Sequence, residues 1–272
     1  MSQTAAVMLG STVVQFEIPP ADEEVLPGLP WGLVEAFPTP AYWLYQVLAR
    51  RVTGQNLRYK LGNTLAEEVG ACLLGGHGIP AAIGVAAFRS LRSKGVFSGP
   101  TSEVRLLEEL SIPIEINGRT VRYRFAKQKA RYLAVALNRL HGAEVPTGTG
   151  VALRQWLLKF PGIGPKTASW VVRNWLDADD VAILDIHLLR AGALGGFLSP
   201  GLTVERHYFE LERQFLSFSR AIEVRPSELD AVIWFEMMNS ATTVRALLGT
   251  TPAARPASSL RASAHEGGSH AH

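Results

Sequence analysis

The 272-residue chain has a single cysteine, Cys72. A disulfide within the chain is therefore impossible, as is an iron–sulfur cluster held by four thiolates. Such scarcity of cysteine fits a reducing compartment. No apolar run is long enough to span a bilayer, and the stretch 1–10 has no basic residue ahead of its short apolar run. Neither a membrane span nor a signal peptide is expected. Nor is there a nucleotide-cofactor loop or the ligand spacing of a metal cluster. These absences leave an intracellular protein, cytoplasmic or nucleoid-associated if prokaryotic, with no bound cofactor.

What is present is mainly helical periodicity. Apolar residues recur at helical spacing over 42–52, 61–74, 81–93, 126–140, 151–160, 165–176, 186–194, 204–219 and 226–248. Residues 112–125 instead alternate apolar and polar residues around Asn117-Gly118, the pattern of a β-hairpin. Residues 1–30 are poorly patterned, although Thr12–Ile18 suits a strand. The Ala-, Ser-, Gly- and His-rich residues 250–272 suggest a disordered tail. The expected fold is mainly α, with a small β-hairpin inserted in a helical domain over 31–249.

The net charge of +3 hides a skew. Seven basic residues and no acidic one lie between Arg119 and Arg139: Arg119, Arg122, Arg124, Lys127, Lys129, Arg131 and Arg139. Arg124, Lys127 and Arg131 are spaced to line one helical face, which attracts phosphates. A solvated surface explains the same residues equally well.

The most informative stretch runs from Leu158 to Ala168. A helix ends in a turn containing Gly162, Ile163 and Gly164, and a second helix opens at Pro165, a residue suited to the first helical position. The free N–H groups and the dipole of that helix favour an anion over the turn, and a DNA phosphate is the natural candidate. A monovalent or divalent cation at the hairpin is compatible with this. Ala168, Val171, Val172 and Trp175 form a core stripe. Lys166, Ser169, Trp170 and Arg173 share the opposite face. The dipole repels a cation at Lys166, which favours the neutral amine that a nucleophile must be. An exposed lysine that touches a phosphate is the alternative.

Asp185 stands directly before the helix at 186–194, in N-cap position. It reads either as a cap alone or as a carboxylate held rigid and ionised beside the lysine. His187 reads as structural or phosphate-binding.

Gly162-x-Gly164-x-Lys166, followed by Leu184-Asp185-Ile186-His187, resembles the helix-hairpin-helix DNA glycosylases. The offset of 185 − 166 = 19 is similar to that of the 8-oxoguanine DNA glycosylase branch. Lys129-Ala130-Arg131 and Asp230-Ala231-Val232-Ile233-Trp234 extend the likeness, which covers about residues 40–248. The resemblance implies a two-lobed helical fold and a DNA glycosylase with AP lyase activity. It also implies action as a monomer on double-stranded DNA holding a damaged base. Lys166 is then the nucleophile at C1′, Asp185 its electrostatic and proton-transfer partner, and Gly162, Ile163 and Gly164 the phosphate grip. His187, Lys129 and Arg131 are further DNA contacts, and Gln55 and Asn56 fill the gap left by a flipped base. Three positions depart from the branch: Trp170 replaces a cysteine, Asp230 a glutamine that reads the base edge, and Trp234 a phenylalanine. A pocket between Trp170 and Trp234 is expected, with Asp230 selecting N–H donors such as those of a guanine-type base. No N-terminal β-domain of the eukaryotic kind is expected. A glycosylase for another base and a non-enzymatic DNA-gripping module are the alternatives.

Overall fold

The computed structural model describes residues 1–55, 59–76 and 78–250. Among them the helices dominate, and every sheet is a two-stranded antiparallel pair. The N-terminal segment is better ordered than its pattern suggests. Strands β1 (Gln3–Leu9) and β2 (Thr12–Ile18) pair in continuous register, from Gln3 opposite Ile18 to Leu9 opposite Thr12. Gly10 opens the turn between them in the left-handed region. The bulky apolar residues of β1, Val7, Met8 and Leu9, are consecutive rather than alternating, so β1 offers little alternation to read. A second small sheet joins β3 (Glu24–Leu26) to β4 (Leu29–Pro30).

Helix α1 (Pro40–Thr53) starts at Thr39, whose side chain accepts the Tyr42 N–H, and stops at the left-handed Gly54. Then come α2 (Leu65–Leu74), α3 (Ala81–Ser93) and α4 (Glu103–Ser111). Periodicity alone passed over α4, although Ser102 caps it and Leu106 and Leu110 bury one short stripe. The expected hairpin is β5 (Ile114–Ile116) against β6 (Arg119–Val121), around the positive-φ pair Asn117-Gly118. Helices α5 (Ala126–Leu140), α6 (Gly150–Leu157), α7 (Pro165–Leu176), α8 (Ile186–Gly195) and α9 (Val204–Ala221) follow. The single helix expected over 226–248 is two, α10 (Pro226–Asn239) and α11 (Ala241–Thr250), divided at Ser240. Apart from Thr250, the tail reading falls outside the described residues.

These helices build two cores. One is filled from α2 to α7, with Leu73, Phe88, Leu133, Leu153 and Val171 among its buried residues. The other takes Trp43 from α1, Phe215 and Phe218 from α9 and Ile233 from α10, together with Ile18 and Trp31 from the N-terminal segment. The chain therefore begins in one lobe, builds the other, and returns. Two buried ion pairs tie the lobes: Arg154 of α6 with Glu212 of α9, and Arg173 of α7 with Asp230 of α10.

Candidate active site

The hairpin between α6 and α7 has the geometry its glycines imply. Gly162 sits at φ 79°, and a methyl group there would meet the Tyr132 ring at 2.1 Å, so both conformation and space demand glycine. Ile163 is the buried anchor, and its N–H donates to the Phe160 carbonyl at 3.2 Å. Gly164 is the N-cap of α7; no side chain caps it, and the position its Cβ would take is open. The first N–H groups of α7 therefore face open space with their dipole unopposed. Lys166 lies in this first turn. It is exposed and makes no hydrogen bond or ion pair among the described residues.

Asp185 is the N-cap of α8. Its Oδ1 accepts the N–H groups of His187 at 2.8 Å and Leu188 at 3.0 Å. Its Oδ2 has no hydrogen-bond partner among the described residues. The carboxylate is thus oriented by one oxygen and free at the other. Residues 181–184, just before it, belong to no helix or strand. Side chains hold them instead. The Ala182 N–H donates to Glu212 Oε1 at 2.9 Å. The Tyr208 hydroxyl donates to the Ala182 carbonyl at 2.8 Å and accepts the Leu184 N–H at 3.2 Å.

The face of α7 opposite the core stripe is not the open surface that its polarity suggests. Ser169 and Arg173 are buried, and Arg154 Nη1 reaches both the Ser169 hydroxyl, at 3.3 Å, and Glu212. That face packs against the second lobe, and only Lys166 at its start is exposed. Arg154 and Arg173 accordingly belong to buried pairs and do not add to a phosphate-binding surface.

Asp230 also departs from expectation. It is 4% exposed, and its Oδ1 is held by Arg173, so it offers no free base-reading edge there; Oδ2 is buried without a partner. Desolvation raises its pKa to about 6, opposed by Arg173 and the nearby Ile183 N–H and helped by the charge of Asp185. The two tryptophans do not stack on each other. The edge of Trp170 lies 3.5 Å from where a methyl on Gly75 would sit, in the first lobe. Trp234 instead meets Tyr59, with centroids 5.3 Å apart, and His187, at 6.3 Å. Tyr59 escaped the sequence reading because it lies in an irregular stretch without periodicity.

Lys129 is a correction as well. Its ammonium donates to the carbonyls of Leu73, at 2.6 Å, and Gly75, at 3.3 Å, closing the C-terminal end of α2. Burial lowers its pKa. Arg131 is exposed and lies over the Tyr132 ring beneath the hairpin. Arg124 precedes α5, with the left-handed Phe125 as N-cap between them, so it does not share a helical face with Lys127 and Arg131. The Gln55 side chain is exposed; Asn56 lies outside the described residues. The buried Glu212, Tyr208 and Arg154 were not anticipated. The i, i+4 spacing of Tyr208 and Glu212 on the apolar side of α9 was their only signal.

A family model described as 8-oxoguanine DNA glycosylase, of the helix-hairpin-helix type, matches residues 55–224. The 8-oxoguanine DNA glycosylase/AP lyase of Saccharolobus islandicus (strain Y.N.15.51 / Yellowstone #2) is 32% identical over 132 residues, covering 45% of this chain and 63% of that protein. The protein of the same name from Methanocaldococcus jannaschii is 30% identical over 118 residues, 42% of this chain and 56% of its own. A crystal structure of the Methanocaldococcus jannaschii 8-oxoguanine glycosylase/lyase with a 15mer DNA containing 8-oxoguanine superposes with a TM-score of 0.51 at 26% identity. That superposition covers 64% of this chain and 81% of the other. The chain thus spans less than two thirds of the length of these curated relatives. With the hairpin and the capping aspartate inside the matched stretch, the chain belongs to the 8-oxoguanine DNA glycosylase family.

Proposed function

We propose that the protein is a base-excision repair glycosylase with AP lyase activity, acting on double-stranded DNA that carries an oxidised purine, 8-oxoguanine first among them. The observation that carries this reading is that Lys166 stands unengaged at the open N-terminus of the hairpin helix while Asp185, nineteen residues on, is oriented by Oδ1 and free at Oδ2. The turn at 162–164 holds a backbone phosphate through the N–H groups of α7. The open space over Gly164 also leaves room for a monovalent or divalent cation between turn and phosphate. The damaged nucleotide leaves the stack, at a cost of about a few kcal/mol. The neutral Lys166 amine attacks C1′, and the C1′–N bond breaks with its electron pair leaving on the base. Asp185 stabilises the positive charge on the sugar and takes the proton that the new C–N bond releases. Ring opening gives the Schiff base, and loss of a C2′ proton expels the 3′ phosphate. Arg131 and His187 add phosphate contacts. Gln55 and Asn56 fill the gap in the duplex, and Trp234 with Trp170 flanks the extruded base. A DNA substrate places the protein inside the cell, and the reaction needs one copy of the chain.

The test is borohydride trapping on a duplex with 8-oxoguanine opposite cytosine. A covalent adduct is expected, and Lys166→Gln abolishes it. Free base released without an adduct would instead mean water as nucleophile. Binding without either would leave a module that only grips DNA.

A further inference from the structure

The segment that delivers Asp185 to the site has no secondary structure of its own, yet residues 182 and 184 are bonded to side chains of a single helix. Tyr208 and Glu212 stand one turn apart on α9 and face the segment together. Glu212 accepts the Ala182 N–H at 2.9 Å; the Tyr208 hydroxyl spans Ala182 and Leu184, donating at 2.8 Å and accepting at 3.2 Å. The same two side chains turn toward the helix that carries Lys166. Glu212 is paired with Arg154, Arg154 reaches the Ser169 hydroxyl at 3.3 Å, and that hydroxyl also faces Tyr208. Ser169 is three residues beyond Lys166 and fully buried. One polar cluster, sealed from solvent, therefore touches both the chain just before Asp185 and the first turns of the Lys166 helix.

We infer that Tyr208 is a positioning residue for the reaction: its hydroxyl, within the Arg154–Glu212–Ser169 cluster, fixes the approach of the Asp185 carboxylate to Lys166. It touches neither DNA nor the reacting atoms. Removing it leaves the Leu184 N–H and the Ala182 carbonyl unpaired in a buried place, and residues 182–185 shift to recover partners. A carboxylate displaced by about 1 Å no longer matches the sugar on which charge develops. Grip on DNA, which belongs to the hairpin, is unaffected.

This inference rests on the glycosylase reading above, and the experiment keeps the two apart. Single-turnover excision of 8-oxoguanine is measured for the wild type, Tyr208→Phe and Leu211→Ala, alongside melting temperature and affinity for a duplex with a non-cleavable abasic analogue. Tyr208→Phe is expected to slow excision about tenfold or more at saturating enzyme, with duplex affinity within about twofold of wild type. Leu211→Ala empties a buried position on the same helix; it is expected to lower the melting temperature while leaving excision by the folded protein unchanged. A Tyr208→Phe enzyme that excises at the wild-type rate overturns the inference. So does one in which affinity falls and the saturated rate does not, or one whose loss Leu211→Ala reproduces at equal destabilisation. A wild type that excises nothing refutes the functional reading itself.

Discussion

Asp230 is subject to opposed influences. Arg173 and the Ile183 amide favour its charge, while burial and the charge of Asp185 oppose it, and the opposition prevails, with a pKa of about 6. Its pKa in the unfolded chain is near 3.8, so between the two values the folded protein holds a proton that the unfolded chain has lost. The contribution of Asp230 to stability therefore falls as pH rises from 4 to 6 and is level above. In urea titrations across that range the wild type is expected to lose stability with rising pH, and Asp230→Asn is expected to lack that slope. Parallel curves would mean that Arg173 compensates fully for burial.

At the level of elements, the two glycines of the hairpin have different reasons to be glycine. Gly162→Ala forces a side chain onto a backbone at positive φ and into Tyr132; a loss of about 1–3 kcal/mol is expected, read as a lower urea midpoint. Gly164→Ala adds a methyl to open space at a helix N-cap. Its folding cost is within about 1 kcal/mol, but under the proposed function the methyl stands where a phosphate approaches, so the expected loss is in duplex affinity at constant salt. Equal losses of stability in both variants would remove the distinction. The hairpin, the helix that opens at Pro165 and the cap at Asp185 were legible in the sequence because each depends on residues adjacent in the chain: glycines for the turn, proline for the first helical position, aspartate for the cap. The β5–β6 hairpin was legible through Asn117-Gly118 for the same reason. The partners of Arg173, Lys129 and Glu212 were not. Each is settled by an element more than 25 residues away in the chain, and a charged residue on a helix face looks alike in sequence whether it meets water or a buried counter-ion.

For the whole molecule, the ties between lobes decide how it comes apart. Arg154 with Glu212 and Arg173 with Asp230 are buried ion pairs between the two hydrophobic cores. Removing one member of a buried pair leaves an uncompensated charge and costs about 3–5 kcal/mol. Arg154→Met is therefore expected to lower stability by that order, measured by urea unfolding. In the wild type, helix content and tryptophan fluorescence should fall together, because neither lobe is relieved of its buried charges until both open. Separated transitions would show that the cores unfold independently.

The side-chain clamp on residues 181–184 has a consequence for amide hydrogen exchange. Segments outside helices and strands ordinarily exchange fast, since their N–H groups bond to water. Here the Ala182 and Leu184 amides are bonded to Glu212 and Tyr208 and buried in the core of the second lobe. Their exchange is governed by the parting of α9 from the segment, which makes these two protons natural reporters of local opening within the second lobe.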